Sequence, residues 1–241
     1  MFDESKVFFM NRPTLLLLPG TLNDEAVWKA QTDQLEVNFC VADLTQQNTT
    51  SSMAEHAISS LPSGPFFMAG FSLGGYVAFE IMRRASNRIK GLALISTSAR
   101  PELIAARAGR EEMMALAQKD FPQITSKLIQ FMLPAARHSD VHFVEDIQDM
   151  MNRVGVDAFV RQSQAVMNRA DSRDILTSIR SPTIVISGKD DRVTAPKFSE
   201  EMANLIPGAE LHFLEETGHM TPMERPNEVT SLLKTWLEQL N

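Results

Sequence analysis

The chain has 241 residues, a formal net charge of −7 and one cysteine. At 44% apolar and 22% charged residues it has the make-up of a folded globular protein, which excludes a disordered one. It has no block of lysine or arginine to meet a nucleic-acid backbone, and the lone Cys40 closes no internal disulfide.

The N-terminal MFDESKVFFMNRP carries two acids before its first lysine and makes a poor secretory leader. The longest apolar stretches, such as LLLLPG, are too short to cross a bilayer, so the expectation is a cytoplasmic protein with no membrane contact. TLLLLPG (14–20) reads as a buried strand ending in a Pro-Gly turn, and DEAVWKAQTDQLE (24–36) as a helix with an acidic first turn. NFCVADL (38–44) is a second strand, and SSMAEHAISSL (51–61) a helix capped by Ser51 or Ser52. FFMAGF is a third strand, followed by the helix LGGYVAFEIMRRAS. KGLALISTSA (90–99) is a fourth strand and TIVISG (183–188) a fifth. The helix PKFSEEMANLI, the strand ELHFLEE (210–216) and the helix EVTSLLKTWLEQL complete the chain. Strands apolar throughout, with helices between them, predict an α/β fold with a mostly parallel central sheet covered on both faces.

Residues 100–180 break this rhythm. They offer helical periodicity in AARAGREEMMALAQKD, FPQITSKLIQFML and DVHFVEDIQDMMNRV, and no convincing strand. The expected organisation is therefore a core of residues 1–99 and 181–241, with 100–180 inserted as a helical cap over the carboxyl edge of the sheet. Ligands bind at that edge in open α/β sheets.

Gly70-Phe71-Ser72-Leu73-Gly74 lies between a strand and a helix. A turn this sharp needs glycine, and it presents a serine hydroxyl at the positive end of a helix. A serine needs a base. Of the five histidines, His219 in LEETGHMTPMERP follows a strand and precedes the last helix, whereas His56 and His212 read as ordinary surface or core residues. The orienting acid is expected past TIVISG, where Asp190 and Asp191 both stand. Asp191 is favoured, three residues past Gly188 as in similar loops. Two backbone N–H groups would bind a developing oxyanion: that of Leu73 and that of Thr21, with Leu22 the alternative to Thr21.

LLLLPGTLNDEAVW, MAGFSLGGYVAFE, SPTIVISGKDDRVTAP and EETGHMTPMERPNEV together resemble the α/β-hydrolase superfamily over nearly the whole chain. The resemblance implies a triad of Ser72, Asp191 and His219, and a cap after the fourth strand. One departure is Pro19-Gly20, where many relatives have His-Gly. Serine in place of aspartate as nucleophile argues against dehalogenation.

The expected activity is cofactor-independent hydrolysis of a small or medium carboxylic ester, with thioesters and lactones as variants. C–C bond hydrolysis, perhydrolysis and a non-catalytic ligand-binding receptor are the alternatives. Met113, Met114, Met132, Met150, Met151 and Met167 either form an adaptable apolar surface over the site or pack the cap helices together. Arg107, Arg110, Arg153 and Arg161 either meet a substrate carboxylate or solvate a helix face. His138, His142 and Glu145 have a spacing compatible with metal ligands, but no metal site is expected there, and the sequence implies no cofactor. The expected partner is a small-molecule substrate with an apolar acyl or aromatic part.

Overall fold

The computed structural model describes residues 14–240, so the N-terminal stretch read above as a poor leader lies outside the described residues. Six strands form one sheet: β1 Thr14–Leu18, β2 Asn38–Val41, β3 Phe66–Phe71, β4 Ile89–Ile95, β5 Thr183–Gly188 and β6 Glu210–Leu214. Their order is β2-β1-β3-β4-β5-β6, and every pairing is parallel. The fully apolar strands demanded this arrangement, because successive residues must be buried on opposite faces. Leu15, Leu17, Phe67, Phe71 and Ile95 enter one core, while Leu16, Leu18, Met68, Leu92 and Leu94 enter the other. Each such side chain contributes roughly 1.5–3 kcal/mol when fully buried.

Helices α1 (Lys29–Gln34), α2 (Thr50–Ser59) and α3 (Leu73–Ala85) connect the first four strands. The segment read as one helix over 24–36 is a 3-10 turn, Glu25–Trp28, followed by the shorter α1. Thr49, and neither Ser51 nor Ser52, caps α2: its hydroxyl accepts the Ser52 N–H.

Between β4 and β5 the described chain is helical: α4 (Ile104–Ala117), α5 (Phe121–Met132), a 3-10 turn, α6 (Val141–Met167) and the single-turn α7 (Arg173–Leu176). Asp140 caps α6 by accepting the Phe143 N–H. The periodicity read to Val154 runs on past a break at Gly155 (φ 81°, ψ 171°) to Met167, a continuation the sequence reading missed. Glycine adopts that positive φ without steric cost, so the helix bends and resumes. Ile124, Ile129, Ile147, Met150 and Phe159 join the same core as Leu15 and Leu17, which fastens these helices onto the sheet. After β5 come α8 (Pro196–Leu205), a short α9 (Thr221–Glu224) absent from the sequence reading, and α10 (Pro226–Gln239). Among the described residues no helix is long and apolar enough to cross a membrane.

The strand order reverses between β1 and β3, and a crevice opens past their carboxyl ends. The Pro19-Gly20 turn and Ser72 both lie there.

Candidate active site

Ser72 follows the last residue of β3 and caps α3 with φ 51° and ψ −115°. Few non-glycine residues hold such angles, and the neighbours explain how this one does. A Cβ on Gly74 would fall 2.0 Å from the Leu18 carbonyl oxygen, and one on Gly70 would fall 2.6 Å from the Gly74 carbonyl oxygen. The two glycines thus let β1, β3 and α3 close onto the turn. The turn is then fixed by the Ser72 N–H donating to the Ile95 carbonyl at 3.0 Å and by the Thr97 hydroxyl donating to the Ser72 carbonyl at 2.8 Å.

His219 stands on the loop after β6, 3% exposed, with Nε2 2.9 Å from Ser72 Oγ. Its Nδ1 lies 2.9 Å from Asp191 Oδ2, and its ring packs on Phe71 at 5.3 Å between centroids. Asp191 follows β5 and is 3% exposed. Its Oδ1 accepts the Val193 and Thr194 N–H groups at 2.8 and 2.9 Å, and Oδ2 also accepts the Thr194 hydroxyl at 2.8 Å. Burial drives this carboxyl upward, but the charge and hydrogen bond of His219 and the Thr194 donors outweigh it, and hold Asp191 below its ordinary range. An acceptor so held orients the imidazole with a proton on Nδ1, leaving Nε2 to accept from Ser72. Asp190 is exposed, and the imidazole bond goes to Asp191 alone of the two.

Thr21 lines the cavity beside Ser72. The adjacent Leu22 has φ 58°, and its N–H donates to Gln162 Oε1 at 2.8 Å. Gln162, wholly buried in α6, in turn donates Nε2 to the Leu44 carbonyl at 3.1 Å. The Leu22 N–H, the alternative oxyanion donor, is thereby engaged. The Leu73 N–H stands at the first turn of α3, where backbone N–H groups lack an intrahelical acceptor.

The carboxyl end of α5 ties two loops of the site together. The Met132 carbonyl accepts the His219 N–H at 2.8 Å, and Arg192 donates to the Gln130 and Leu133 carbonyls at 2.8 and 3.0 Å. Glu224, 2% exposed, accepts the Gly218 N–H at 2.9 Å through Oε2, while its Oε1 has no partner among the described residues. Burial raises this carboxyl above its ordinary range, and the Gly218 and Met220 amides offset it only in part. Sequence reasoning passed over Gln162, Thr194 and Glu224. Thr194 was within reach, in DDRVT, as a hydroxyl three residues past the acid.

A cavity of about 400 Å³ opens over Ser72, at the lower end of the size range of small-molecule sites. Met113, Met132 and Met151 line it, whereas Met114, Met150 and Met167 lie elsewhere. Of the four arginines singled out from sequence only Arg110 lines it. Arg107 binds the Met167 carbonyl, Arg153 pairs with Asp24, and Arg161 binds the Thr45 carbonyl. His142 faces Glu145 at 3.6 Å, and no cluster of three or more candidate metal ligands occurs among the described residues.

The family model described as serine aminopeptidase, S33, matches residues 31–226. A pimeloyl-[acyl-carrier protein] methyl ester esterase of Neisseria meningitidis is 24% identical over 192 residues, covering 77% of this chain and 74% of the relative. A monoacylglycerol lipase of Xenopus laevis is 24% identical over 95% of this chain and 77% of its own length. Among solved structures, an esterase of Thermogutta terrifontis is 27% identical with a TM-score of 0.86, covering 95% of this chain and 90% of the other.

Proposed function

Since the chain belongs to the serine aminopeptidase S33 family, within the α/β-hydrolases, we propose that it is a serine esterase with a triad of Ser72, His219 and Asp191. The observation that carries this reading is the pair of 2.9 Å contacts from Asp191 to His219 and from His219 to Ser72, made by groups at the ends of three different strands. The choice of an ester bond rests on the relatives, which are named as esterases and a lipase. An aminopeptidase must also hold a terminal ammonium, and the cavity lining offers cations and no carboxylate for that task.

In the reaction, Ser72 Oγ bonds to the ester carbonyl carbon as its proton passes to His219 Nε2. The negative charge gathering on the carbonyl oxygen is met by the Thr21 and Leu73 N–H groups. His219 returns the proton to the leaving alkoxide, the carbon–oxygen bond breaks, and an alcohol departs. Water then attacks the acyl-enzyme, its proton passing to His219 and on to Ser72 as the acid leaves. Asp191 holds one imidazole tautomer and stabilises the imidazolium throughout. Residues 100–180 act as a cap that supplies one wall of the cavity, through Met113, Leu128 and Phe131 among others.

Intact-protein mass spectrometry after treatment with a fluorophosphonate tests the reading. One adduct is expected on the parent protein and none on Ser72→Ala or His219→Ala. An unlabelled, folded parent protein that turns over no ester would sink it.

A further inference from the structure

The esterase reading leaves the substrate open, and the inference here rests on that reading and narrows it. The whole chain is net negative at −7, yet the lining of the cavity over Ser72 contains Arg110 and Lys127 and no aspartate or glutamate. Each cation sits on a helix with an apolar lining residue at helical spacing, Arg110 with Met113 on α4 and Lys127 with Phe131 on α5, and Leu128 also lines the cavity.

Arg110 is neutralised only in part, and Lys127 not at all among the described residues. Arg110 donates Nε to Glu102 Oε1 at 3.0 Å, with Nη2 2.9 Å from the same oxygen, but that carboxylate is shared. Its other oxygen accepts from Arg169 at 2.6 Å, and the Arg169 guanidinium lies 4.4 Å over the ring of Tyr76, itself a lining residue. Two arginines against one glutamate leave one positive charge, and Lys127, which has no ion pair among the described residues, adds another. With Nε and Nη2 turned to Glu102, Arg110 keeps Nη1 for a ligand. One guanidinium edge and one ammonium suit a single carboxylate.

We propose that the cavity takes esters bearing a second, anionic group. A carboxylate, set off from the scissile carbonyl by an apolar segment, meets Arg110 and Lys127 while Met113, Leu128 and Phe131 cover the segment. Arg110 is half-buried beside apolar lining and Lys127 stands at the exposed rim, so the pairing favours an anionic ester over a neutral one of the same shape to a degree that salt reduces.

Calorimetric binding to Ser72→Ala tests this without turnover, using monomethyl adipate against dimethyl adipate. Acetoxypentanoate, with its carboxylate on the alcohol side, distinguishes the two ends of the ester. The anionic ester is expected to bind about tenfold more tightly than the neutral one. That preference should shrink as salt rises from about 0.05 to about 0.5 M, and fall to near unity in Ser72→Ala/Lys127→Met and Ser72→Ala/Arg110→Gln. Lys127 is exposed, so its variant decides the matter if the Arg110 variant folds poorly. Equal affinity for the two adipates, no binding of either anion, or a preference untouched in the Lys127 variant overturns the proposal. Hydrolysis by the parent is scored separately: an anion preference in a parent protein that takes no fluorophosphonate and turns over no ester refutes the esterase reading and leaves the anion site standing.

Discussion

Gln162 and Leu22, 140 residues apart, are joined by a buried hydrogen bond of 2.8 Å that fixes the loop beside the candidate nucleophile. Leu22 holds a positive φ that leucine disfavours, and the amide side chain from α6 supplies the acceptor that keeps it there. Gln162→Leu removes both of that side chain's bonds and strands the Leu22 N–H in a dry site. The cost should be about 1–3 kcal/mol of stability. The rate of ester cleavage should fall about tenfold or more through kcat, with KM little moved, because the displaced loop matters most where charge develops. Thermal melts and steady-state kinetics on one ester check both.

Asp191→Asn should lower kcat by about a thousandfold to ten-thousandfold, since an amide no longer selects the tautomer that leaves Nε2 free for Ser72. Asp190→Asn should leave kcat unchanged. The sign of the pH effect on stability follows from the lowered Asp191 carboxyl. Its contribution is complete above the ordinary carboxylate range and is lost as pH falls through the lowered folded value. Acid titrations of thermal stability should therefore separate parent and Asp191→Asn at neutral pH and bring them together in strong acid.

Glu224 carries the opposite sign. Its folded-state carboxyl is raised by burial, so the folded protein holds this proton more tightly than the unfolded chain. That advantage is complete below the ordinary glutamate range and is lost as pH rises through the raised folded value. Glu224→Gln keeps an oxygen for the Gly218 N–H and has no proton to lose. Its melting temperature should gain on the parent's as pH is raised from acid to neutral; a constant difference would mean that Glu224 does not titrate in the fold.

Gly74→Ala should destabilise by more than about 3 kcal/mol, because its Cβ would meet backbone at 2.0 Å, and no rotamer relieves that. Gly109→Ala is the converse. It lies within α4 with nothing within 4 Å of a new Cβ, and should stabilise by about 0.5–1 kcal/mol. Denaturant melts of the two variants give the comparison.

The sheet was legible because its signal is local. A run such as TIVISG, apolar on both faces, has few homes other than a covered parallel strand. Ser72, Asp191 and His219 could be picked out as candidates because each lies within a few residues past a strand, and parallel pairing puts all those ends on one edge of the sheet. Gln162 could not, since its role depends on a partner 140 residues away and its neighbours in QSQAVM give no sign of it. The second half of α6 was missed because Gly155 reads as a stop, and only packing of Phe159 and Val166 beyond the break shows that the helix resumes. Thr49 was passed over for Ser51 and Ser52 because the four consecutive hydroxyl side chains of 49–52 are degenerate as caps until the helix start is seen.

The ties from the Met132, Gln130 and Leu133 carbonyls bear on how this protein could be re-engineered. Exchanging the whole helical segment between β4 and β5 would discard the fastening of the His219 and Asp191 loops. A chimera that exchanges α4 and the first turns of α5 but retains 130–134 keeps that fastening. Recombination breakpoints for altering substrate range therefore belong inside the helical segment, and not at its borders.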